Sequence, residues 1–112
     1  MPFTSSLEIS KGIATIVLSG ELDAASAPVF RTDVEKAVAA NVRRLVLMMQ
    51  DLSYMASAGL RALVFAKQKM GAAADVYLIG TQPAVSETLE LTGFDKSVIS
   101  LAVYDPAIVE AS

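Results

Sequence analysis

The sequence predicts an α/β fold: a mostly parallel sheet of four or five strands with an N-terminal antiparallel hairpin and three or four crossover helices. Three observations lead there. Strand-like and helix-like segments follow one another in the order β-β-α-β-α-β-α-β, with a short helical segment at the end. Only the first two strand-like runs are close enough to pair as a hairpin, and every later pair is separated by a helix-length crossover, as parallel pairing requires. In 112 residues with an apolar fraction of 54%, there is material for one real core, so the expected organisation is a single domain over residues 1–112.

Each element has a local reason. From Phe3 to Ser10 the chain alternates, with Leu7 and Ile9 apolar and Glu8 and Ser10 polar, as in a half-exposed strand. Lys11-Gly12 is a tight turn, and the β-branched run Ile13–Leu18 completes the hairpin. Gly20 to Ser26 reads as a loop in which Asp23 and Ser26 can cap a helix and Pro28 suits its first turn. Phe30, Val34, Ala37 and Val38 then mark the apolar face of a helix ending near Asn41. A third strand runs from Arg44 to Met49. After a turn centred on Ser57, a second helix continues to Met70, with Gly71 as its stop. Val76–Ile79 is a fourth strand. Pro83 opens a third helix carrying Val85, Leu89 and Leu91 and ending at Gly93; Val98–Val103 is the last strand, and Asp105-Pro106 starts a terminal helix.

Composition removes several function classes. The chain has neither cysteine nor histidine, which excludes disulfides, thiol nucleophiles, Ser-His-Asp triads and imidazole-ligated zinc. Net charge is −3 with 19% charged residues, and Arg43-Arg44 is the one basic pair, so direct nucleic-acid binding is not expected. No signal-peptide pattern opens the chain, and no apolar run approaches the ~20 residues that span a bilayer. A cytoplasmic protein without membrane insertion is expected. The glycines form no phosphate-cradling loop, the methionines read as core filler, and no cofactor or metal is expected. Asp51 stands at a strand end, as a receiver's phospho-accepting aspartate would, but the acidic cluster that would hold magnesium is missing.

The most informative segment is Leu52-Ser53-Tyr54-Met55-Ala56-Ser57-Ala58-Gly59-Leu60-Arg61. Its serine sits where a strand hands over to a helix, between two alanines, at the positive end of the helix dipole. On a helical wheel Gly59, Leu63, Ala66 and Met70 face the core, while Ser57, Arg61, Phe65 and Gln68 face away, with Val64 at the edge. An apolar pair beside a serine and an arginine reads as a partner-docking stripe; the alternative is that a neighbouring loop or the terminal helix covers it. Phosphate on Ser57 would add nearly two negative charges at the head of that stripe, within reach of Arg61. A serine before a helix is most often a plain N-cap, and local chemistry leaves cap and switch both open.

Two motifs, Gly20-Glu21-Leu22-Asp23 and Asp51-Leu52-Ser53-Tyr54-Met55-Ala56-Ser57-Ala58-Gly59-Leu60, together with their separation and the order of elements, resemble the STAS domain family over essentially the whole chain. Within it the resemblance is to the bacterial anti-sigma factor antagonists. It implies a STAS fold and a non-enzymatic regulator. Unphosphorylated, such a protein captures an anti-sigma factor that is also a GHKL-type serine kinase and so frees a sigma factor; phosphorylation turns it off and a PP2C-type phosphatase resets it. By position Ser57 matches the phospho-acceptor, and Gly20, Glu21, Asp23, Met55, Ala58, Leu60, Arg61, Val64 and Phe65 match the partner-contacting surface. Family members such as the sporulation antagonists have Asp before the acceptor, where this chain has Ala56. The resemblance also admits a non-switching scaffold, or an accessory subunit of a transport or signalling assembly.

Overall fold

In the computed structural model, which describes residues 2–71 and 73–110, five strands form one sheet in the order β1-β2-β3-β4-β5. β1 (Thr4–Ser10) and β2 (Ile13–Leu22) are antiparallel, joined through Lys11 at φ 53° and Gly12 at φ 78°. Two successive positive φ angles match the right-handed twist of a two-residue hairpin, and the glycine makes the second one free of Cβ strain. β3 (Arg44–Met55), β4 (Asp75–Ile79) and β5 (Ile99–Leu101) then add in parallel. The crossovers are α1 (Ala27–Ala39), α2 (Ser57–Met70) and α3 (Pro83–Thr92), the last followed by a 3-10 turn at Phe94–Ser97. A single-turn α4 (Pro106–Val109) ends the described chain.

Because side chains alternate across a strand, the sheet has two unlike faces. Ala14, Ile16 and Leu18 of β2, Leu45, Leu47 and Met49 of β3, and Val76 and Leu78 of β4 pack with Phe30, Val34, Leu63, Ala66, Val85 and Leu89. All three crossover helices therefore cover one face, as same-handed crossovers between sequentially ordered strands require. The other face carries a smaller cluster in which Val109 of α4 packs on Val46, Tyr77 and Ile79.

Several boundaries differ from the sequence reading. β2 runs on to Leu22 and β3 to Met55, so Gly20–Leu22 and Asp51–Met55 are strand, not loop. The cause is a pair of β-bulges. Val17 pairs with Met48 but Ser19 with Asp51, and Gly20 pairs with Leu52 but Glu21 with Tyr54; each time β3 carries one extra residue. The last strand is shorter than expected: its pairing with β4 covers only Ile99–Leu101, leaving Val98 before it and Val103, 70% exposed, beyond it. Leu91, expected on the inner side of α3, is 83% exposed: two residues after Leu89 it falls about 200° round the helix. Gly93 ends that helix in the left-handed conformation at φ 75°, as expected of a glycine stop. Among the described residues, no helix is long and apolar enough to cross a membrane.

Candidate functional site

β2 and β3 stay paired to their last residues, Leu22 beside Met55, and Ala56 N–H donates to Leu22 O at 2.8 Å. The strand portions of both motifs therefore end side by side at one edge of the molecule, where Asp23 and Ala56 leave the sheet from adjacent positions and Ser57 follows at once. The bulges decide which side chains reach the surface. From Met49 to Met55 every third residue (Met49, Leu52, Met55) is buried, and the pairs between them are exposed.

Asp23 belongs to a closed clasp. Its N–H donates to Ser26 Oγ at 2.9 Å, Ser26 N–H donates to Asp23 Oδ1 at 2.9 Å, and the Ser26 hydroxyl lies 2.8 Å from the same carboxylate oxygen. Ser26 is the N-cap residue of α1, but its hydroxyl turns back to Asp23 and makes no capping bond to the helix. The Ser26 hydroxyl and then its N–H stabilise the charged carboxylate and hold Asp23 below the ordinary value of 3.8. A folded-state pKa lowered this way stabilises the clasp above the unfolded value and loses that contribution as pH falls through the folded one. We therefore expect the Asp23 carboxyl carbon to titrate below 3.8 by NMR, and Ser26→Ala to move the midpoint back up towards it.

Ser57 is not the N-cap of α2. That place is held by Ala56, extended at φ −79° and ψ 166° and unable to cap with its methyl group. Ser57 is the first helical residue, exposed, and its hydroxyl has no hydrogen-bond partner among the described residues. The first turn of α2 contains no acidic residue. Gly59 and Leu60 N–H both bond to Ala56 O, at 3.0 and 3.2 Å, while the N–H groups of Ser57 and Ala58 precede any carbonyl the helix could offer them. The end of α2 thus lacks both a side-chain cap and a favourable charge, and an anion on the Ser57 oxygen would supply the charge.

The remaining predicted residues fall into three sets. Glu21, Asp23 and Arg61 are exposed with Ser57, and Ala58 is half-buried beside it. Gly20, Met55 (2% exposed) and Leu60 (8%) are buried and present no side-chain surface; Gly20 O accepts the Ser53 hydroxyl at 3.1 Å. Gly59, Leu63 and Ala66 face the core as the wheel predicts, but Leu60 and Ala62 are buried too, so the apolar arc is wider than four positions. Val64 and Phe65 are half-buried against the core. What shields the Phe65 ring is neither a loop nor the terminal helix: the Arg31 guanidinium of α1 lies 4.0 Å from its centroid, with Lys69 Nζ at 5.9 Å. Arg31 also stands 3.8 Å from Glu35. Sequence reasoning missed Arg31; the i,i+4 spacing to Glu35 was visible, but the contact to Phe65 depends on how α1 packs on α2. Among the described residues, no group of acidic side chains could hold a metal ion.

The STAS domain model matches residues 4–106. BtrV of Bordetella bronchiseptica, a candidate anti-sigma factor antagonist, is 33% identical over 84 residues, 74% of this chain and 72% of BtrV. The crystal structure of an anti-sigma factor antagonist from Mycobacterium paratuberculosis superposes with a TM-score of 0.85 at 26% identity, covering 97% of this chain and 93% of that one. The unphosphorylated form of the anti-sigma factor antagonist SpoIIAA has the same fold, with a TM-score of 0.77 at 22% identity over 87% of each chain.

Proposed function

This chain is a member of the STAS domain family, and from that premise we propose that it is an anti-sigma factor antagonist switched by phosphorylation of Ser57. It works as a cytoplasmic binding module, not as an enzyme. Unphosphorylated, it captures an anti-sigma factor that is also a GHKL-type serine kinase, and the sigma factor goes free. The kinase then modifies its captor. A bond forms between Ser57 Oγ and the γ-phosphorus of ATP, the bond to the bridging oxygen breaks, ADP leaves, and a base of the kinase takes the hydroxyl proton. A PP2C-type phosphatase removes the phosphate.

The observation that carries this reading is the Ser57 hydroxyl itself, exposed and unbonded among the described residues at an uncapped helix end. A structural cap would be engaged; this hydroxyl holds nothing in place, so phosphate can be added and removed without disturbing the fold. The dianion would meet the helix dipole and the Ser57 and Ala58 N–H groups, worth about 0.3–1 kcal/mol. Ala56 and Ala58 leave it uncrowded. Glu21, Asp23, Ala58 and Arg61 form the contact face, and Gly20, Met55, Leu60, Val64 and Phe65 are the packing that shapes it.

Incubation with a GHKL-type kinase from the same genome and ATP should add one phosphate, located at Ser57 by peptide fragmentation and absent from Ser57→Ala. Phosphate on Ser53 or Ser26 instead, or none at all, would reject the assignment.

A further inference from the structure

β1 is an edge strand that the fold leaves open. It runs seven residues, Thr4–Ser10, in unbroken register with β2, and holds no proline, lysine or bulge, the features that blunt an edge. The opposite edge, β5, is three residues long. The hairpin fixes which groups of β1 face outward. In a two-residue turn the flanking pair, Ser10 and Ile13, is hydrogen-bonded, and bonded pairs alternate along the ladder, so Thr4, Ser6, Glu8 and Ser10 bond to β2. The N–H and C=O groups of Ser5, Leu7 and Ile9 therefore point away from the sheet, and among the described residues no backbone hydrogen bond from outside the sheet reaches them. The side chains of the same three residues lie on the helix face. Ser5 Oγ donates to Asp33 Oδ2 of α1 at 2.6 Å, Leu7 is half-buried against the core, and Ile9 is 44% exposed. The charges along this edge balance: Glu8 stands on the open face with Lys11 in the turn beyond it, and the flank of α1 above β1 carries Asp33 and Lys36. No net charge is there to select an acidic or a basic partner, but a strand with this pattern fits itself.

We propose that β1 pairs with β1 of a second copy, antiparallel about a twofold axis through the Leu7 pair. Hydrogen bonds close only where outward residues meet outward residues, and with Leu7 opposite Leu7, Ser5 lies opposite Ile9 in both directions. Roughly six backbone bonds then form. A shift of two residues either way loses about a third of them, and one such shift sets Glu8 directly against Glu8 of the other copy, where like charges destabilise. In the Leu7 register each Glu8 faces Ser6 instead, the two leucines meet, and Ile9 is covered. The axis stands perpendicular to the sheet, so the helices of both copies lie on one side. Pairing consumes the long edge of each copy and leaves only the short β5 edges, so association closes at two. Ser57, beyond the far end of β3, stays clear of the joint, and the two copies present it at opposite ends of the joined sheet. The pairing does not depend on Ser57 being modified.

Sedimentation equilibrium of the untagged chain, up to about 0.5 mM, tests the pairing, since a joint of this size belongs with the weaker interfaces. We expect a concentration-dependent equilibrium between monomer and dimer. Ser6→Glu sets two like-charge pairs against Glu8 and should weaken the dimer by about tenfold; adding Glu8→Lys turns both pairs attractive and should restore it. Ile9→Pro removes an outward N–H that the monomer does not use and should also weaken the dimer by about tenfold. Unfolding midpoints measured at dilute, monomeric concentration separate these effects from a damaged fold. Because the chain has no cysteine, a single introduced one reads the register. Opposite Cα atoms about 5.5 Å apart are within disulfide reach, so Leu7→Cys should give a covalent dimer on mild oxidation. Ser10→Cys, whose two copies stand roughly 20 Å apart in this register, should not. A chain that stays monomeric, or a dimer that is indifferent to Ser6→Glu or Ile9→Pro or is not restored by Glu8→Lys, would overturn the pairing. Cross-linking at position 10 no weaker than at position 7 would overturn the register.

Discussion

Gly59→Ala is expected to destabilise the protein by about 1–2 kcal/mol, even though alanine is the better helix former by about 1 kcal/mol. A Cβ at Gly59 would stand 2.6 Å from Leu22 Cδ2, 2.8 Å from Leu22 Cγ and 3.1 Å from Met55 Cγ. Both neighbours are themselves buried, Leu22 completely, so neither can swing into solvent and α2 must rise from the strand ends. Leu22→Ala alone should cost about 3 kcal/mol, through lost burial and the cavity left behind. Combined, the two changes should not add. With the leucine gone, the two shortest contacts disappear, the new methyl fills part of the cavity, and the helix gains its propensity. In the Leu22→Ala background Gly59→Ala should therefore stabilise, by about 0.5–1 kcal/mol. Urea unfolding of the four proteins measures the cycle. Simple additivity would show that the helix does not rest on Leu22 through its glycine.

That close approach also explains which parts of the fold were legible in the sequence. The hairpin, the three crossover helices and the sequence of elements along the chain followed from short-range signals: Lys11-Gly12, Pro28, Pro83, Gly71, Gly93 and the spacing of Phe30, Val34 and Ala37. Those signals survive folding because turn chemistry and one-sided burial act over a few residues. The far end of β3 was illegible for a definite reason. Its two bulges turn a period of two into a period of three at Met49, Leu52 and Met55, a pattern that belongs to neither a regular strand nor a helix. Reading it requires knowing that β2 is one residue shorter across each bulge, which is a pairing property and not a local one.

The candidate site divides along the same line. That Ser57 and Arg61 are exposed on one face of α2 was legible because it depends on helical phase alone. Phe65 was placed on an open stripe because nothing near it in sequence announces Arg31, which arrives from another helix to cover the ring. Ser57 as an N-cap was off by one residue: Ala56 bonds back to Leu22 O, which keeps it extended and makes Ser57 the first residue with helical geometry. That one-residue step matters chemically. A serine in the cap position would spend its hydroxyl on the helix, whereas a serine one position later keeps it free.

Under the proposed switch, Ser57→Asp should lower affinity for the anti-sigma partner by about a hundredfold, roughly 2.7 kcal/mol, while leaving the fold at least as stable as the parent. The two effects have opposite signs because the same charge meets two different surroundings. Towards its own helix the carboxylate sits at the first helical position, with the dipole, the unbonded N–H groups and no competing acid in the first turn, and should add about 0.3–1 kcal/mol to stability. Towards a partner it places an anion at the centre of the contact face and engages Arg61, so an acidic or apolar complement loses its cation and must desolvate a charge. Ser57→Asn supplies nearly the same shape without the charge and should keep affinity within about threefold, and Ser57→Ala should bind as the parent does while refusing phosphate. Thermal unfolding and calorimetric titration on the same four proteins separate the two effects: a lost affinity with a raised melting temperature cannot be a folding defect. Equal affinity of the parent and Ser57→Asp, with the helix intact, would remove Ser57 as the switch and leave the domain a constitutive binder.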